Sequence, residues 1–133
     1  MTAAVAFVKA QEVQHNDVPA SAQQSFQKQF PAAKNVKWEK EDGNYEAGFT
    51  VNGKKTSVVI TPSGNILETE TEMSSNSLSA SIRAFITKNY PGQKIKEAAK
   101  ITDAKGIVTY EAEISGKDLI FDSKGKFLKE NKD

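Results

Sequence analysis

The chain has 133 residues, enough for one compact domain or two small repeats that share a core. Its 18 Lys and Arg nearly balance 17 Asp and Glu, so it lacks the concentrated basic charge that nucleic acid or an anionic membrane calls for. It contains no cysteine, which excludes thiol catalysis, disulfides and Cys-ligated zinc, and no apolar run approaches the length that spans a bilayer.

Residues 1–10 are small and apolar, and Val8-Lys9-Ala10 resembles the small-x-small end of a signal peptide. This predicts export, with a mature chain that begins near Gln11; an ordinary first strand or helix is the alternative. Residues 11–17 are polar and hold His15, the sole histidine. Residues 1–17 are therefore expected to be a signal-peptide remnant and a polar leader.

A helix is predicted over Val18–Phe30. Pro19 suits its first turn, where the missing N–H costs nothing. Val18, Ala22, Phe26 and Phe30 recur every fourth residue as one apolar stripe, and Pro31 ends the run. The pattern returns over Ser79–Tyr90, with Leu78, Ile82, Phe85, Ile86 and Tyr90 on one face and Pro91 as the stop. Phe30-Pro31 and Tyr90-Pro91 lie 60 residues apart, which sets a repeat length.

Strands follow each helix. Val36 and Trp38 alternate with charged residues and are expected on one face, before a turn at Asp42-Gly43-Asn44. Tyr45, Ala47, Phe49 and Val51 form the apolar face of the next strand. Asn52-Gly53 is a strong hairpin signal, because both residues accept the positive φ of a type I′ turn. Thr56, Val58 and Ile60 continue the face, and Pro62-Ser63-Gly64-Asn65 turns the chain into Ile66-Leu67. In the second half, Ile95, Ala99 and Ile101 alternate less cleanly, followed by Val108, Tyr110, Ala112 and Ile114, and then Leu119 and Phe121. Residues 69–77 read as a polar linker, although 69–71 can prolong the preceding strand. The predicted fold class is α+β: two tandem repeats, residues 18–73 and 74–133, each a helix plus a four-stranded antiparallel sheet. The helices lie on one face of the sheet, and the repeats form one compact unit with either one shared sheet or two abutting ones.

The order of these signals carries a resemblance: Val18-Pro19 with Phe26 and Phe30-Pro31, then Val36-Lys37-Trp38-Glu39, Gly43-Asn44-Tyr45-Glu46-Ala47, Asn52-Gly53-Lys54 and Ser63-Gly64-Asn65. It resembles the PepSY-like family, also described as β-lactamase-inhibitor-like, whose members are small exported bacterial proteins. The resemblance runs from Val18 to Asp133 in two copies. The second departs from it where Glu97 and Ala98 stand in the region of Trp38, and its hairpin looks shortened at Ser115-Gly116. The resemblance implies helices packed on one sheet face, with the other face available for binding. It brings no catalytic residues.

The residue chemistry agrees with a non-enzyme that uses no cofactor or metal. His15 sits in the leader, and no other histidine is present to serve a serine as base or to complete a metal site. Glu68, Glu70 and Glu72 place three carboxylates on one strand face without the looped Asp/Asn pattern of a calcium site. Glycines fall singly in turns, so no phosphate-cradling loop exists. The expected function is an exported, periplasmic or secreted, non-enzymatic binding module for a protein or peptide, with peptidase or protein inhibition as one form of it. The residues expected to bind are Lys37, Trp38, Glu39, Glu46, Thr50, Ser57, Glu111 and Glu113. Trp38 is also read as core, because it shares a face with Val36. The alternatives are a self-assembling or structural cell-envelope protein that pairs strand edges, and a hydrolase with an unrecognised site.

Overall fold

The structure, a computed structural model, describes residues 11–132. The segment read as a signal-peptide remnant, residues 1–10, lies outside them. Two helices and nine strands are present among the described residues, and the fold is α+β. The chain divides into two compact units, residues 11–71 and 72–132.

The first unit opens with strand β1 (Gln11–Val13) and a 3-10 turn (His15–Asp17), followed by helix α1 (Ala20–Gln29). Four strands follow: β2 (Lys34–Glu41), β3 (Asn44–Val51), β4 (Lys54–Ile60) and β5 (Ile66–Met73). They pair antiparallel in chain order. The stretch read as a polar leader thus contributes an edge strand, with Val13 opposite Trp38 and packed on the core. The stretch read as a linker is largely β5, followed by a 3-10 turn (Ser75–Ser77) that leads to α2 (Ala80–Asn89). The second unit continues with β6 (Glu97–Asp103), β7 (Val108–Ile114), β8 (Lys117–Asp122) and β9 (Phe127–Lys132), again antiparallel in chain order.

Both helices begin by related devices. Pro19 takes the N-cap position of α1 instead of the first helical one, and the Gln23 amide donates to the carbonyls of His15 (2.6 Å) and Val18 (2.8 Å), tying the 3-10 turn to the helix. Ser79 caps α2 by accepting from the Ile82 N–H (3.3 Å), and Arg83 Nε donates to the Leu78 carbonyl (3.1 Å). Phe30 and Tyr90 end the two helices with nearly identical backbone angles, φ −129° and −133°, each before a proline.

Each helix buries its stripe against one face of its own unit. Val18, Ala22 and Phe26 pack with Trp38, Tyr45, Ala47, Phe49, Val58 and Ile60. The Phe26 ring meets Trp38 edge-on at 5.3 Å and Phe49 at 5.0 Å between centroids. In the second unit Leu78, Ile82 and Ile86 pack with Ala98, Ala112, Ile114, Leu119 and Phe121, while Phe85 stacks on Phe127 at 4.7 Å. Tyr90 donates its hydroxyl to Glu130, and Lys117 lies over the Tyr90 ring and 3.6 Å from Glu130, fastening the end of α2 to β8 and β9.

Two expectations about strand faces need correction. Val36 is 37% exposed and outside the core. The β2–β3 register shifts between Lys34 and Lys37, with Asn35 at φ 56°, and this bulge breaks the alternation that put Val36 beside Trp38. In β6 the core residue is Ala98, opposite Ala112, so the face read there was one residue out of register. The shortening expected at Ser115-Gly116 falls in the arms of the hairpin and not in its turn: ten residues separate the paired Ala47 and Val58 and six separate Ala112 and Leu119, while each turn keeps two residues. Asn52 and Gly53 have φ of 53° and 78°, as the type I′ reading requires.

Phe26→Ala and Ile86→Ala are each expected to destabilise the protein by about 2–5 kcal/mol, read by urea or thermal melts. Trp38 is 3% exposed, and its indole N–H finds no acceptor among the described residues. Its emission should therefore be blue-shifted and poorly quenched by acrylamide, and Trp38→Ala should cost about 3–5 kcal/mol.

Candidate functional site on the helix-free sheet faces

In each unit the helix closes one sheet face, and the alternate side chains form the other. In the first unit Tyr45, Ala47 and Phe49 point to the helix, which puts Glu46, Gly48 and Thr50 on the far face of β3. Register then fixes the neighbours. Glu12, Glu39, Glu46, Val59 and Glu68 stand in one row across β1 to β5. Lys37, Gly48, Ser57 and Glu70 form the next row.

Seven of the eight residues expected to bind lie on these far faces. Lys37 and Glu39 are exposed, while Glu46, Thr50 and Ser57 are half-buried on the first unit. Trp38 is the exception: it points to the helix and is buried, so it is core and not a surface anchor. On the second unit Glu113 is half-buried, but Glu111 is only 4% exposed, contrary to a solvent-facing role. Asp118, not foreseen as a site residue, is directly opposite Glu113 and 3% exposed. Counting back from the Ser115-Gly116 turn pairs Ile114 with Lys117 and Glu113 with Asp118, so hairpin geometry alone could have located it. Glu111 and Asp118 both engage other groups of the protein, as buried carboxylates must.

The two far faces match in register and differ in chemistry. Glu111 lies between Ala99 and Ile120, as Glu46 lies between Glu39 and Val59. In the adjacent row, Glu97, Glu113 and Asp118 stand where the first unit has Lys37, Gly48 and Ser57. Carboxylates outnumber lysines on the first face, with Glu12, Glu39, Glu41, Glu46, Glu68 and Glu70 against Lys34, Lys37 and Lys55. Among the described residues no group of three or more His, Asp or Glu is arranged to hold a metal ion. No helix among them is long and apolar enough to cross a membrane.

Glu46 shows what the row costs. Burial, and then the carboxylates of Glu39, Glu41 and Glu68, push its carboxyl above the ordinary range. A folded-state value raised above the unfolded one makes the protonated form the stabilising one; that contribution is complete below the unfolded pKa and is lost as pH rises through the folded value. Glu46→Gln is therefore expected to raise stability at pH 7 by about 0.2–1 kcal/mol, the scale of one cross-strand pair. In melts at both pH values, the gain should shrink toward zero at pH 4.

The sequence profile of the family described as "Putative beta-lactamase-inhibitor-like, PepSY-like" matches residues 5–68 and 43–129. Among solved structures, the chain is similar to a "putative periplasmic" protein of Bacteroides eggerthii DSM 20697, at 18% identity and a TM-score of 0.79 over 86% of this chain and 88% of that one. It is also similar to a DUF2874 family protein of Bacteroides ovatus ATCC 8483, at 24% identity and a TM-score of 0.77 over 87% and 89% of the two chains. A BLIP-like protein of Bacteroides fragilis NCTC 9343 matches at 24% identity and a TM-score of 0.71, over 86% of each chain. At these identities the likeness is one of fold. No curated protein matches.

Proposed function

The chain belongs to the PepSY-like, β-lactamase-inhibitor-like family, and from that premise we propose that it is a periplasmic, non-enzymatic binding module that holds a protein or peptide on a helix-free sheet face. The observation that carries this reading is the first unit's far face. There, adjacent strands in fixed register present Lys37, Glu39, Glu46, Thr50 and Ser57, with the helix confined to the opposite side. A surface built on paired strands holds its side chains in place with little entropy left to lose on binding. The periplasmic assignment draws on the description of the Bacteroides eggerthii neighbour.

In this reading the two units are tandem copies of one helix-plus-four-strand design. The matching 3-10 turns, helix ends and strand registers support it. Inhibition of a bound protein is one use of such a face. Edge-to-edge assembly has less to draw on, because β9 carries Lys129 and Lys132, charges that blunt an edge.

The test is site-specific photo-crosslinking of the full chain in the cells that make it. A photoreactive side chain at Ser57 should trap a partner, and one at the exposed helix residue Lys28 should not. Adducts formed equally from both positions, or from Lys28 alone, would remove the sheet face from the function.

A further inference from the structure

Gly48 sits in the middle of β3, on the far face of the first unit, and nothing local requires a glycine there. Its φ is not in the left-handed region, and a Cβ built on it meets no atom within 4 Å. Glycine inside a strand weakens it, and it often marks a place where another backbone or a ligand approaches closely. The missing side chain leaves a notch, with Glu46 and Thr50 on either side along β3 and with Lys37 and Ser57 across from it. At the same register position the second unit carries Glu113, so this notch belongs to the first unit only.

We propose that this notch docks a cationic segment of a protein partner, with an arginine or lysine side chain laid over Gly48 and its charge against Glu46 and Glu39. The proposal rests on the reading of the sheet face as a binding surface and names the chemistry of the partner. Charge complementarity selects the occupant. Like charges directly opposite on adjacent strands destabilise a sheet, and Glu12, Glu39 and Glu46 are opposite one another across three strands. A guanidinium or ammonium group set into that row relieves the repulsion, and its aliphatic stem gains the open floor of Gly48 and the side chain of Val59. Lys37 borders the notch from β2, which directs the cationic head along β3 toward Glu46. The whole-chain balance of +1 hides this asymmetry, because Lys28 lies on α1 and Lys40 lies over the Tyr45 ring on the helix side, which leaves six carboxylates against three lysines on this face.

The experiment uses the isotopically labelled full chain and two defined probes. One is a Gly-Ser peptide carrying three spaced arginines; the other is the same peptide with glutamates in their place. Titration followed by amide chemical shifts should show saturable changes at residues 37–39, 46–50 and 57–59 with the arginine peptide and none with the glutamate peptide. Gly48→Val should weaken arginine-peptide binding at least tenfold while leaving the melting temperature unchanged or raised, which separates loss of the notch from loss of the fold. Glu46→Gln and Glu39→Gln together should weaken it to a similar extent. Arginine-peptide binding that survives Gly48→Val, or shifts concentrated on the helix side, would overturn the proposal. A Ser57 crosslink to a partner, with no shift from the arginine peptide, would also overturn it while leaving the wider reading of the face intact.

Discussion

Everything in this protein depends on one contact made twice: a four-residue-spaced apolar stripe on a ten-residue helix, seated on one face of an antiparallel sheet. With no cysteine in the chain, burial does the stabilising, at about 1.5–3 kcal/mol for each fully enclosed large side chain. Phe26 is the centre of the first contact, since its ring reaches Trp38, Phe49 and Phe30 together. Because the helix consumes one face, the other is left to carry polar side chains, and the division between fold and function follows the two sides of the sheet.

The two units meet the same packing requirement with different residues. Ala98 occupies the register of Trp38, and Ile86 follows the pattern of Phe26, so the second core loses aromatic volume there. Aromatic rings return at Phe85, Phe121 and Phe127, which contact one another. The far faces diverge more sharply. Glu39 gives way to Ala99, Gly48 to Glu113 and Ser57 to Asp118, and a partly exposed face becomes one with two buried carboxylates. The helix-side residues are constrained by volume, whereas far-side residues are constrained by what they meet.

Much of the fold was legible because periodicity and punctuation agreed. The stripe of Val18, Ala22 and Phe26, the prolines after Phe30 and Tyr90, and Asn52-Gly53 each state their conformation locally. The misreadings came where a non-local feature intervened. The bulge at Asn35 gives no warning in residue type alone, and it removed Val36 from the core while leaving Trp38 in it. β6 was misread because Ala98 and Ala99 are equally small, so only the pairing with Ala112 tells which one faces the helix. The site was legible as a face and not as a set of exposures: alternation placed Glu46 and Glu111 correctly, but burial of Glu111 depends on surroundings that no strand pattern encodes. Gly48 escaped notice for a related reason, since a strand glycine acquires meaning only when the space above it is known.

The turns of this protein divide into two kinds, and that division has a practical reading. Gly64 holds a φ of 97° and lies so close to α1 that a Cβ would fall 2.8 Å from the Ser21 carbonyl oxygen, while its own carbonyl accepts from the Ser25 hydroxyl at 2.6 Å. Gly125, at φ 89°, lies close to the start of α2, where a Cβ would meet the hydroxyls of Ser81 and Ser79. These two bends act as clasps that hold helix to sheet, so their glycines are not interchangeable with alanine. The tips at Asp42-Gly43, Asn52-Gly53 and Ser115-Gly116 show no atom near any added Cβ at their glycines and clasp nothing. An engineer who wished to graft a loop, insert a tag or reopen the chain as a circular permutant would find those three tips permissive and the two clasps closed.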